Sequence, residues 1–218
     1  MTWKPEAVTR HLPFLLAGVQ MTVMVTVAAM AVALVLGILV ALARLSGSRT
    51  LQALSGFYID VARSTPLLAQ LIWAFYALPI LIGYAPEPLA AGVLTLAFHS
   101  GAYLAEIYRA GLLSIPRGQR YAALSLGMTP AQALRRVVLP QAVARMLPPI
   151  GSQFITLFKE SALVSLITLP ELMWQAQSLA AFTMRPFEVL TAAAIIYTVL
   201  TLPQSLLVNH LHRRYLAH

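Results

Sequence analysis

Four long apolar runs dominate the chain, and the polar segments between them are short and mostly basic. Leu12 to Ala43 holds 32 residues without a charged side chain, and Ser64 to Pro86 holds 23. Pro88 to Ala105 holds 18 with His99 inside, and Val189 to Asn209 holds 21. About 20 apolar residues carry a helix across a bilayer, so each run predicts one span. The first run exceeds one crossing, so its start around Pro13 and Gly18 is expected at the interface or in a tilted helix. It is also too long for a signal-peptide core of roughly 7–15 residues. A weaker fifth span is predicted from Met146 to Pro170, interrupted by Lys159-Glu160, with Pro148-Pro149 and Pro170 marking its limits. The architecture expected is an all-α, polytopic membrane protein of about five transmembrane helices, forming one domain over residues 1–218.

Composition sharpens this picture. The 218 residues are 59% hydrophobic and only 10% charged, against about 25% charged in soluble domains. A soluble chain of this size could not hide that much apolar surface, which excludes a soluble enzyme or a disordered tail. With no cysteine, disulfides, thiol catalysis and Cys-ligated metals are excluded. The five histidines form no close ligand set except His210 and His212, in a polar C-terminal segment, so no metal site is expected.

The net charge of +8 raises the question of nucleic acid, but its placement answers against it. Segments 44–63, 106–145 and the C-terminus carry Arg44, Arg49, Arg63, Arg109, Arg117, Arg120, Arg135, Arg136, Arg145, Arg213 and Arg214. The opposite side carries Lys4, Arg10 and Arg185. Positive charge stays cytoplasmic, which predicts the N-terminus outside and the C-terminus inside. Anionic lipid accounts for the loop arginines without nucleic acid.

The longest interior segment, 106–145, is more than a linker. Gln119 to Leu126 has helix-forming composition and stops at Gly127. Thr129 then offers an N-cap, Pro130 a first helical position and Gln132 the third residue of a capping box. The second short helix is expected to reach about Val138 and end near Pro140. On residue types alone, an interfacial hairpin under the spans and a docking site satisfy the pattern equally. Ala122-Ala123, three residues, Gly127, nine residues and Val137-x-Leu139-Pro140 resemble the EAA loop of ABC-importer permeases. Glu106-Ile-x-Arg109-Ala-Gly, Ile115-Pro116-x-Gly118-Gln119 and Leu139-Pro140-Gln141-Ala142 look like the polar amino acid group of these permeases, the histidine/glutamine/glutamate group. Arg63-Ser-Thr65-Pro66-Leu67 and Lys159-x-Ser161-x-Leu163 are similar to two further elements of that group.

The resemblance implies a type I importer transmembrane domain in the bacterial cytoplasmic membrane, working beside a second permease chain, identical or homologous. It implies two ATP-hydrolysing subunits at the cytoplasmic face, an extracytoplasmic amino acid binding protein, and an amino acid as cargo. ATP and Mg²⁺ then belong to the partner; this chain has no phosphate-cradling Gly-rich Lys-Ser/Thr loop and binds no cofactor of its own. Gln119, Arg120, Tyr121, Ala122, Ala123 and Gly127 become the ATPase-coupling helix. One departure stands out, for the motif's Glu is Tyr121 here, and Arg120 or Gln119 is left to supply a polar contact.

Polar groups at membrane depth are costly and need a reason. Lys159 and Glu160 are helix neighbours about 100° apart, so they cannot neutralise each other face to face. A translocation pathway and interhelical bridging both account for them. His99 is read as hydrogen-bonded structure or as a substrate contact, and the resemblance raises His99 and Glu160 as pathway residues. Ser64, Thr65 and Gln70 are further cavity candidates, since hydroxyls and amides also serve helix packing. Asp60 with Arg63 and Glu106 with Arg109 are spaced for local ion pairs. Trp3, Trp73 and Trp174 are expected as interfacial anchors, and Glu171 to Glu188 as a partly helical outer segment that receives the binding protein. A secondary transporter is the competing class, but no internal repeat is visible and Glu160 is the only carboxylate deep in a span. An intramembrane hydrolase lacks its nucleophile elbow and its second aspartate.

Overall fold

A computed structural model describes residues 6–216, all of whose regular elements are helical. After the short α1 (Glu6–Thr9), α2 runs from Leu12 to Leu45. At 1.5 Å per residue it is about 50 Å long, more than the ~30 Å hydrocarbon core requires. Pro13 sits in its first turn, where a missing N–H costs nothing. The start of the run is therefore ordinary helix, and Gly18 is buried where α2 meets the outer part of the chain.

The second crossing is broken. α3 (Arg49–Ser64) and the segment formed by α4 (Leu67–Ile72), a π-helical turn (Trp73–Ala77) and α5 (Leu78–Ile82) meet at 104°. The polar segment 44–63, expected as a cytoplasmic linker, is thus largely an amphipathic helix packed on its neighbours. Ile59 and Ala62 are buried with Ala102 and Ala105, and Tyr58 donates a 2.6 Å hydrogen bond to the Phe98 carbonyl. The break falls at Thr65-Pro66 because proline disfavours helical backbone at the residue before it; Thr65 is extended, with ψ 137°.

α6 (Pro88–Leu113) is the central strut, packed along the full seam with α2. Small residues make the seam: a Cβ added at Gly37 would lie 2.8 Å from Leu104 Cβ and 3.2 Å from the Gly101 carbonyl oxygen. Such close approach gives dispersion contact where no hydrophobic effect operates between helices in lipid.

The segment expected at the cytoplasmic face follows as α7 (Arg117–Ser125), α8 (Pro130–Ala133) and a π-helical turn (Leu134–Val138) that leads directly into α9 (Leu139–Glu160). The second short helix does not end at Pro140, as expected from sequence. Pro140 removes the donor for the Arg136 carbonyl, and the wider turn absorbs the loss by letting Leu139 N–H bond the Leu134 carbonyl. Leu78-Pro79 repeats the device, with Leu78 N–H on the Trp73 carbonyl. Pro148-Pro149 also lie inside α9 rather than at its limit.

A 3₁₀ segment, Ser161–Ile167, completes the fourth crossing and stops at Thr168, whose φ of 63° is left-handed. α10 (Leu172–Thr183) is the helix expected within 171–188, and α11 (Pro186–Leu216) is the last span, carrying His210 and His212 on helix rather than on an irregular tail. Four helical segments are long and apolar enough to cross a membrane, and the bent pair makes five. Trp3 and Lys4 lie outside the described residues.

Candidate functional site

The α7–α8 element is tied to the spans by hydrogen bonds and buried contacts. Gly127, at φ 82°, ends α7 with two bonds, Gly127 N–H to the Leu124 carbonyl (3.0 Å) and Met128 N–H to the Ala123 carbonyl (3.2 Å). This is the paired closure that a left-handed glycine permits. The expected capping box is complete: Gln132 N–H donates to Thr129 Oγ1 at 3.3 Å, and Thr129 N–H donates to Gln132 Oε1 at 2.9 Å. Arg145 reaches back from α9 to the Ser114 carbonyl at 2.6 Å, and Ile115 is buried with Ala142 and Met146. The segment leading into α7 is therefore joined to both α6 and α9.

Within α7 the two alanines differ. Ala123 is buried against the rest of the chain, whereas Gln119, Arg120, Tyr121 and Ala122 are exposed. Tyr121, standing where the motif has Glu, is 62% exposed, and Leu126 is 81% exposed. The exposed surface of α7 is thus aromatic and aliphatic, flanked by Arg120.

A second polar group sits at the α3–α4 elbow, where three of the sequence candidates come together. Pro66 cannot donate to the Ala62 carbonyl, and Gln70 Nε2 takes its place at 2.8 Å. The same amide donates to Thr65 Oγ1 at 2.6 Å and approaches the Thr65 carbonyl at 3.1 Å. Its oxygen therefore faces His99 Nδ1, 3.3 Å away. An amide oxygen only accepts, so His99 carries its proton on Nδ1 in this contact. Beside the elbow lies a cavity of about 600 Å³ lined by Thr65, Gln70, Trp73, Thr95 and Phe98 among others. Trp73, expected as an interfacial anchor, is one wall of it. Ser64 is exposed at the end of α3.

Glu160 stands on a different element, at the end of α9. Its Oε2 is buried without a hydrogen-bond partner, while Lys159 is exposed. Glu106 and Arg109 pair at 2.8 Å as the spacing suggests. Asp60 and Arg63 form no ion pair among the described residues; Arg63 lies 5.2 Å over the Tyr103 ring instead.

Two polar contacts escaped the sequence reading. Gln153 donates to Ser100 Oγ at 3.3 Å between α9 and α6; the signal was present, since Gln153 and Glu160 are seven residues apart on one helix face. Glu171, counted as outer segment, is fully buried. Tyr197 Oη donates to Glu171 Oε2 at 2.7 Å, Trp174 N–H donates to its Oε1 at 2.8 Å, and Leu172 N–H donates to Thr22 Oγ1 at 3.1 Å. These bonds tie α2, α10 and α11 into one outer cluster. Nothing local in the sequence distinguishes Glu171 from an exposed N-cap. No group of three or more metal-ligating side chains occurs among the described residues.

Known proteins resemble this chain in sequence and in overall fold. The glutamine transport system permease protein GlnP of Escherichia coli strain K12 is 37% identical over 210 residues, 96% of each chain. The arginine transport system permease protein ArtQ of Bacillus subtilis strain 168 is 37% identical over 197 residues, 90% of each. A chain in the crystal structure of an amino acid ABC transporter with histidines superposes with a TM-score of 0.92 at 38% identity, covering 98% of this chain and all of that one. Residues 33–217 match the family described as binding-protein-dependent transport system inner membrane component. The chain belongs to that family, as a membrane-spanning permease subunit of type I fold.

Proposed function

We propose that this chain is the translocating subunit of an ATP-driven importer of a polar amino acid in the bacterial cytoplasmic membrane. The observation that carries the reading is the α7–α8 element, exposed on its outer surface and anchored to α6 and α9 by Arg145, Ile115 and Met146. A separate subunit hydrolyses ATP with Mg²⁺ and closes against Tyr121, Ala122 and Leu126. The element passes that movement to the spans, which expose the cargo to alternate sides. A second permease chain, identical or homologous, completes the pathway, and an extracytoplasmic binding protein delivers the amino acid to the outer surface. Glutamine, arginine and glutamate/aspartate permeases among the relatives support this cargo class.

Ser64, Thr65, Gln70, His99 and Glu160 are the pathway residues of this reading. Glu160 is the sharpest of them, because a buried carboxylate oxygen without a partner in the chain is costly unless cargo, water or a second subunit meets it. The test is uptake into proteoliposomes holding the permease with its ATP-hydrolysing partner and binding protein, with Arg, His, Gln, Glu and Asp in competition. Uptake is expected only with ATP and both partners, and Glu160→Gln is expected to change rate or selectivity. Uptake driven by an ion gradient without the ATP-hydrolysing subunit overturns the reading; wild-type rate and selectivity in Glu160→Gln remove that residue from the pathway.

A further inference from the structure

Behind the coupling helix lies a cavity of about 660 Å³, which shares only Arg120 with the coupling residues. Its apolar lining includes Leu45 from the end of α2, Leu112 and Leu113 from the end of α6, and Leu134 from the π turn. Its polar lining includes Arg117 and Arg120. These two are three residues apart on α7 and so share a face. No carboxylate lines the cavity, and neither arginine has an ion pair among the described residues.

Position and chemistry together select an occupant. Leu45 and Leu113 are 40% and 61% exposed at the ends of two membrane-spanning helices, on the side where positive charge collects. The cavity therefore sits where acyl chains give way to headgroups. A free phosphate would meet the guanidiniums and leave the leucine floor against water. A neutral acyl chain would cover the leucines and leave two cations unmatched. We infer that this cavity binds one anionic phospholipid of the cytoplasmic leaflet, its phosphate on Arg117 and Arg120 and its chain along Leu45, Leu112 and Leu113. The guanidinium fork suits a phosphate, and a volume of this size falls within the ~300–1,000 Å³ of typical ligand pockets. The lipid lies between α7 and the spans, so membrane charge becomes one of the forces setting the position of the coupling helix. The inference requires the cytoplasmic orientation of this segment but neither the cargo nor the identity of the ATP-hydrolysing partner, so its failure leaves those readings standing.

The experiment uses the full-length permease purified with its partner subunits and delipidated, then titrated with phosphatidylglycerol or phosphatidylcholine and examined by native mass spectrometry. The wild type is expected to retain phosphatidylglycerol selectively, and Arg117→Gln/Arg120→Gln to lose that retention by on the order of tenfold. Arg117→Lys/Arg120→Lys should keep most of it. Ala131→Trp, which fills the cavity and leaves both arginines, should lose it, while Arg135→Gln/Arg136→Gln should not. Equal loss in the 135/136 variant makes the effect diffuse surface charge and overturns the site, as does wild-type retention in Ala131→Trp. A readout on the wild type alone guards against misfolded variants: hydrogen exchange over 112–120 should slow as phosphatidylglycerol rises from none to about a third of the lipid. Exchange that responds to the ATP-hydrolysing subunit but not to lipid charge assigns the cavity to protein and overturns the inference.

Discussion

At the scale of single residues, the absence of a side chain and the presence of one amide set the packing. Gly37 admits no Cβ without pushing on Leu104 and on the backbone of α6, whereas Gly118 has open space around it. Gly37→Ala is expected to destabilise the protein by about 1–3 kcal/mol through forced separation of α2 and α6. Gly118→Ala should be neutral within error. Thermal unfolding in detergent, followed by tryptophan fluorescence, compares the two. Gln70 performs a different task, since it supplies the donor that Pro66 removes from Ala62. Gln70→Leu leaves that carbonyl and Thr65 without the amide, at a cost of about 1–3 kcal/mol. The same measurement checks it, and an unfolding midpoint equal to wild type would show that the elbow does not need the latch.

At the scale of elements, caps and prolines decide where helices begin, bend and stop. Thr129 holds the start of α8 through the capping box, and Thr129→Ala is expected to cost about 1 kcal/mol. The loss should be local, so hydrogen exchange over 129–138 should quicken while exchange in α2 and α6 stays unchanged. The Glu171 cluster sits at the opposite end. Tyr197→Phe removes one of the hydrogen bonds to a buried carboxylate, for which about 1.5–3 kcal/mol is expected. Its readout is the unfolding midpoint, with Thr191→Val, an exposed hydroxyl on the same helix, as the comparison that should change little.

For the whole molecule, the decisive arrangement is the attachment of the exposed α7–α8 element to a bundle of membrane-spanning helices. Ala122 and Ala123 separate docking from folding. Ala122 is exposed, so Ala122→Asp should leave expression and unfolding temperature close to wild type while uncoupling ATP hydrolysis from uptake. Ala123 is only 3% exposed, so Ala123→Asp places a charge inside the element and should lower stability first. Purification yield, unfolding midpoint and ATPase activity of the reconstituted complex distinguish the two effects. Normal coupling in a well-folded Ala122→Asp complex would move the docking surface elsewhere on the element.

The linear pattern alone determined the number of crossings and the outline of the α7–α8 element. Both rest on local composition: runs of apolar residues long enough for lipid, and Gly127, Thr129 and Gln132 at spacings that a helix end dictates. Local information failed where a distant residue compensates for a local fault. Pro140 and Pro148-Pro149 read as boundaries yet are absorbed by a π turn and the helix interior, whereas Pro66, inside a predicted span, lies where the chain bends sharply. Asp60 and Arg63 had the spacing of a pair, but the Tyr103 ring took the guanidinium. Glu171, read only as the start of an outer segment, became the buried centre of three helices, because Thr22 and Tyr197 arrive from 149 and 26 residues away. Burial and partnership of polar groups depend on which helices touch, and that is settled only when the bundle closes.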